Sequence, residues 1–244
     1  MLQPVDITTG WDLTLRKDVK QLKVLIQRYR PLMVHFAPVC RIFSQAYHPL
    51  SLPKYYTKEE QYQGDLLLAV NISKLALYVY RLQLFVCIEN PIRSTIFSLT
   101  GYAFLRNLAG FFFVDANMCM YNYRHPVTKE LVWKGLRLLT NAPWMVPLGR
   151  LCDKSHCHTS LEGQHTTKSA TYNTEFCRAY AKQLAASSQW LRLVAHSYSV
   201  ARSRALVDKD SRVMSIHDGR CFISVLEDSS RGLFLILTTS RRCR

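Results

Sequence analysis

Acidic residues are scarce in this 244-residue chain: 17 Asp plus Glu stand against 32 Lys plus Arg, a formal net charge of +15. That balance excludes an acidic surface. It favours a polyanionic partner, nucleic acid first and an anionic membrane face second. Long apolar runs are missing too. The longest apolar region, Leu66 to Ile88, is broken by Asn71, Ser73, Lys74, Arg81 and Gln83, and reads as a buried helix running into a strand, not a membrane span. The opening Met1-Leu2-Gln3-Pro4-Val5-Asp6 has no basic stretch ahead of an apolar one, so no secretory signal is expected. The eight cysteines lack framework spacing; reduced thiols in an intracellular protein, nuclear or cytoplasmic, are expected. Glycine is sparse, nine residues with no clustered G-x-G, and there is no internal repeat.

What remains is a chain with 48% hydrophobic residues, enough for a packed core. Val5-Asp6-Ile7 is a short strand candidate. Lys17 to Arg28 carries Val19, Leu22, Val24, Leu25 and Ile26 at near-helical spacing, with Asp12 or Thr14 as N-cap and Pro31 as the stop. Leu32 to Ala37 reads as a buried strand closed by Pro38. Residues 45–57 have loop chemistry. Glu59 to Leu82 is the longest helix candidate, and Leu84 to Ile88 the next strand, ending at Glu89-Asn90-Pro91. Arg93 to Leu108 looks helical despite Gly101, and Phe111 to Val114 is another strand. This rhythm predicts parallel βαβ units with helices on both sheet faces. Residues 121–184 are less regular, with a strand-like Arg137 to Asn141 and a helix from Asn173 to Leu184. A helix from Gln189 to Val207 and a hairpin of Cys221 to Leu226 with Leu233 to Thr238 are expected in a basic extension, 185–244, that follows an α/β domain, 1–184.

In parallel sheets ligands bind beyond the carboxyl ends of the strands. Asp6, Cys40 and Glu89 all fall at or just after predicted strand ends. A thiol after one strand and a carboxyl after the next can face one crevice. Thiolate addition to C6 of a pyrimidine makes C5 nucleophilic when a carboxylic acid hydrogen-bonds N3, which is the chemistry of cytosine C5 methylation on a flipped-out base.

The residues also carry a resemblance. Asp6-Ile7-Thr8-Thr9-Gly10-Trp11-Asp12, Ala37-Pro38-Val39-Cys40-Arg41-Ile42-Phe43-Ser44, Ile88-Glu89-Asn90-Pro91, Asp115 to Tyr121, Lys134-Gly135-Leu136-Arg137-Leu138-Leu139-Thr140-Asn141 and Cys152 to Gly163 occur in that order. Over residues 5–184 the chain resembles the cytosine C5 DNA methyltransferase-like domains of retroelement polyproteins. The resemblance implies a Rossmann-like α/β fold, a truncated S-adenosylmethionine methyltransferase with an irregular C-terminal tail. It implies Cys40 as nucleophile, Glu89 as N3 proton donor, Arg137 orienting Glu89 or touching substrate, and Asp6 with Pro38 at S-adenosylmethionine. DNA is the implied partner, with the rest of a longer polyprotein beside it. Departures from the family are Val39 where Pro precedes the Cys, Asn122 for a Gly and Leu136 for a Thr. The glycine-rich turn that wraps the cofactor, and the central first strand before it, are missing.

Each residue has a plainer alternative: Cys40 an ordinary thiol, Glu89 a helix cap, Asp6 a turn residue. Cys152, His156 and His158, with Cys119 or Cys157 as a fourth ligand, suggest zinc, but the spacing is not that of a standard finger. A solvated or substrate-facing loop is the expectation, and no metal ligand is assigned. Tyr55, Tyr56 and Tyr62 are candidates to stack on a base, and Arg202, Arg204, Arg241, Arg242 and Arg244 make the tail positive. Two competing readings stay open: a basic module that holds nucleic acid without chemistry, and a non-functional reading frame that folds poorly.

Overall fold

The computed structural model describes residues 5–44, 59–161, 172–199 and 234–238. Helix α1, Arg16–Tyr29, buries Asp18, Leu22 and Ile26 at four-residue spacing. It ends where Arg30 turns left-handed (φ 46°) and returns its N–H to the Ile26 carbonyl, just ahead of Pro31. Its N-cap is Leu15, without a side-chain bond; the carboxylate of Asp12 binds the Thr14 N–H instead. Strand β1, Met33–Ala37, and strand β2, Phe85–Pro91, flank α2, Glu59–Arg81. The next expected helix is split. Ser94 caps a 3-10 turn, Thr95–Ser98, and extended Leu99 starts α3, Thr100–Arg106. Strands β3, Phe112–Asn117, and β4, Gly135–Thr140, follow, then α4, Thr174–Ser199.

The architecture is α/β around a mixed, partly parallel open sheet, ordered β3-β4-β2-β1. β1 and β2 pair in parallel, Met33 opposite Phe85 and Phe36 opposite Ile88. A fifth strand, β5, Phe234–Thr238, extends the sheet in parallel at the free edge of β1. The all-parallel expectation is corrected at β4, which runs antiparallel to both neighbours. Residues 118–134, between β3 and β4, hold a 3-10 turn and no crossover helix, and a parallel return needs one.

Helices do cover both faces. On one, Val34, Phe36, Val86, Ile88 and Leu139 pack with α1, α2 and α3; on the other, Met33, Cys87 and Leu138 pack with Trp144, Phe176 and Tyr180. The hydroxyl of Tyr180 lies 2.6 Å from Nδ1 of buried His35, which ties α4 to β1. Burial holds His35 well below its usual range, at about 3, so its ring is neutral.

Three further expectations change. Val5-Asp6-Ile7 forms no strand, because the Asp6 side chain caps a 3-10 turn at Ile7–Thr9. The helices foreseen at 173–184 and 189–207 are one helix to Ser199, running through 184 without a break. Cys177 is disulfide-bonded, whereas Cys40, Cys87, Cys119, Cys152 and Cys157 are free. Of the expected hairpin, residues 233 and 221–226 lie outside the described residues, as do 45–57 and the tail arginines. No helix among the described residues is long and apolar enough to cross a membrane.

Gly101 shows why α3 reaches α2. A Cβ there would stand 2.3 Å from Ser73 Oγ and 2.7 Å from its Cβ. Gly101→Ala should therefore destabilise the fold by about 1–3 kcal/mol, although alanine is the better helix former. Adding Ser73→Gly should recover part of that loss in denaturant titrations. Additive losses in the double variant would show that the close approach is not the cause.

Candidate functional site

The candidate site lies at the carboxyl ends of β1 and β2. Pro38-Val39-Cys40 leaves β1 and is pinned from three sides. Asn90 Nδ2 donates to the Pro38 carbonyl at 2.9 Å. Arg41 forms a bidentate ion pair with Asp65 of α2 at 2.7–3.0 Å, and Thr95 Oγ1 donates to the Phe43 carbonyl. The Asp65 side chain is fully buried, so removing its guanidinium partner would strand a charge. Cys40 itself is half-buried.

Strand alternation puts Glu89 on the α4 side of the sheet with Cys87, opposite Leu138. Tyr172 hydrogen-bonds the Glu89 carboxyl, and Lys134 faces both Glu89 and Cys40 electrostatically. Tyr172 also lies in the field of Cys40. The structure thus brings Cys40, Glu89, Lys134 and Tyr172 into one neighbourhood. Lys134 Nζ stands 5.4 Å from the Tyr172 ring centre and 6.0 Å from that of Tyr123. Gly135 lets the start of β4 approach the residue after β2, for a Cβ there would press to 2.5 Å on Ile92 Cγ2. Next to Lys134 in sequence, Trp133 is 40% exposed, with the Arg93 guanidinium 5.6 Å from its ring centre.

Glu89 keeps some solvent contact, yet protein encloses it densely enough that desolvation dominates. Burial pushes its carboxyl above the usual value, against opposing pulls from Tyr172 and Lys134. Burial lowers Lys134, and the charges of Glu89 and Cys40 oppose that. Buried Cys87, on the same face as Glu89, is pushed up to about 12 by desolvation and is inert.

Two other sequence candidates lie elsewhere. Arg137 pairs with Asn90, not Glu89, in the β2–β4 register, so it projects from the opposite face. There its guanidinium clasps Asp115 at 2.6–2.7 Å and covers the Phe113 ring. The Asp6 carboxylate accepts from the Thr8 N–H and hydroxyl at 2.8 and 2.6 Å, serving as a cap. Tyr62 is an exposed residue of α2, while Tyr55 and Tyr56 lie outside the described residues.

No family model matches the chain, nor does any curated protein or solved structure.

Sequence reasoning missed Lys134 and Tyr172 as site residues. Lys134 opens a motif that was recognised, so its signal was present; Tyr172 carries none, because only the packing of the segment before α4 brings it to β2.

Below pH 4.5 Glu89 is protonated both folded and unfolded, and its favourable contribution is complete. As pH rises through its elevated folded value, that contribution is lost. His35 acts oppositely, its contribution lost as pH falls from 6.5 toward 3. The difference between wild type and Glu89→Gln isolates the carboxyl. The variant should gain stability relative to wild type as pH climbs from 4.5, read from thermal melts. A difference that stays flat with pH would mean that Glu89 is not held protonated.

Proposed function

We propose that this site is the base pocket of a cytosine C5 DNA methyltransferase-like protein of retroelement origin, with a Rossmann-like sheet as its frame. The observation that carries the reading is a thiol and a protonation-prone carboxyl at the carboxyl ends of adjacent parallel strands, both facing Lys134 and Tyr172. The chemistry follows from those groups. The Cys40 thiol gives up its proton to solvent, and the positive charge of Lys134 nearby favours the thiolate. Sulfur bonds C6 of the flipped cytosine, the C5–C6 double bond opens, and Glu89 delivers its proton to N3. A net charge of +15 supplies attraction for the DNA backbone, and exposed Trp133 with Arg93 beside it offers a surface for stacking on bases.

S-adenosylmethionine is the cofactor this reading implies, and the residues present do not fit it. The chain has no clustered G-x-G, the Asp6 carboxylate is turned back on Thr8, and the Pro38 carbonyl is taken by Asn90. The edge of β1 where a glycine-rich first strand would pair carries Phe234–Thr238 instead. The reading is therefore base capture by a weakened or inactive relative, with methyl transfer left to partners such as the rest of a polyprotein. An intracellular location, nuclear or cytoplasmic, belongs to the same proposal. The second reading, a basic fragment that binds nucleic acid without chemistry, is favoured by this poor fit.

The test is a duplex carrying 5-azacytosine, in which nitrogen at position 5 lets the adduct persist without a methyl group. The full chain should form a denaturant-resistant protein–DNA band. Cys40→Ser should abolish it, and Glu89→Gln should slow it about 100-fold or more. Salt-sensitive DNA binding with no such band, with or without S-adenosylmethionine, would replace this reading with the binding fragment.

A further inference from the structure

The loop from Arg150 to His158 has no buried residue; Cys152 and His156 are half-buried and the rest are exposed. Apolar packing therefore does little to order it, and Leu151 is 63% exposed. Yet the loop folds back so that three of its side chains meet Cys119 of the turn after β3. The sulfurs of Cys119 and Cys152 and one ring nitrogen each of His156 and His158 all lie within 4.8 Å of one another. Cys152 Sγ is 3.7 Å from His156 Nε2 and 3.5 Å from His158 Nε2. Tetrahedral zinc, with bonds of about 2.3 Å to sulfur and 2.0–2.1 Å to nitrogen, sets its sulfur and nitrogen ligands about 3.5 Å apart.

We infer that Cys119, Cys152, His156 and His158 form a structural zinc site that fastens this loop to the 3-10 turn after β3. The ligands come from two segments. Cys119 is buried in the turn Met118–Tyr121, and the other three follow in a C-x-x-x-H-x-H run. Lys154, left-handed at φ 61°, makes the bend that returns His156 over Cys152. The surrounding groups orient the ligands as outer-shell groups do in metal sites. The Lys154 N–H donates to Cys152 Sγ at 3.3 Å, and Asn117 Oδ1 accepts from the Cys152 N–H at 2.7 Å. His156 presents Nε2 to the cluster while its Nδ1 lies 3.5 Å from Ser155 Oγ and 3.9 Å from Asp153 Oδ1. Four protein ligands close the coordination sphere, which makes the site structural and not catalytic. Its soft sulfurs and imidazoles select zinc over magnesium or calcium. Exposed Cys157 falls outside the set. The site is independent of the base pocket.

The full chain, purified under reducing conditions, should carry one zinc per molecule by elemental analysis. Replacement by cobalt(II) should give the intense visible bands of a tetrahedral thiolate site. His158→Ala, at an exposed position, should weaken zinc binding about 100-fold or more in competition with a chromogenic chelator. Cys119→Ser should do the same, while Cys157→Ser should leave affinity within about twofold. Absence of zinc together with a weak, octahedral cobalt spectrum would overturn the assignment. So would undiminished affinity in both ligand variants, or a Cys119–Cys152 disulfide that persists in reductant and excludes metal.

Discussion

The parallel adjacency of β1 and β2 is the constraint on which the rest depends. With Met33 opposite Phe85 and Phe36 opposite Ile88, the two strands end at the same edge. A residue just past one and a residue near the end of the other then lie close together, whatever their separation in sequence. Asn90 strengthens the arrangement by reaching from β2 to the Pro38 carbonyl. The thiol-bearing loop is held by the strand beside it as well as by the strand it leaves.

Face alternation decides which polar groups meet there. Glu89 and Arg137 lie on adjacent strands, one register step apart, yet they project from opposite sides of the sheet. The arginine finds Asp115 on its own face, and the glutamate finds Tyr172 and Lys134 on the other. Enclosure then separates the protonation behaviour of the groups. It raises the glutamate and lowers the lysine. The same physics silences Cys87, two residues from Glu89, whose thiol is buried without a cation to favour ionisation.

Outside this site, the ordered loop at Cys152 depends on a different source of stability. The sheet and its helices bury apolar residues on both faces, but residues 150–158 bury almost none. A bound metal is a source of order that does not require a hydrophobic core. That cluster sits beyond β3, on a turn anchored through Tyr121 to the Leu148 carbonyl.

Much of the fold was legible in the chain itself. The apolar runs at Leu32–Ala37 and Leu84–Ile88 could be strands buried on both faces, and the three- and four-residue spacing of Val19, Leu22 and Ile26 marks one face of a helix. Cys40 and Glu89 were legible as strand-end residues. The direction of β4, the capping role of Asp6, the clasp of Arg137 on Asp115 and the entry of Tyr172 were not. Each is settled by which partner a side chain meets after the sheet has closed, and local spacing carries no information about partners far away in sequence. Composition and periodicity determined that a basic α/β protein would form. Only the tertiary structure decided which of its polar groups would face one another, because strand order and sheet face are collective properties of the packed chain.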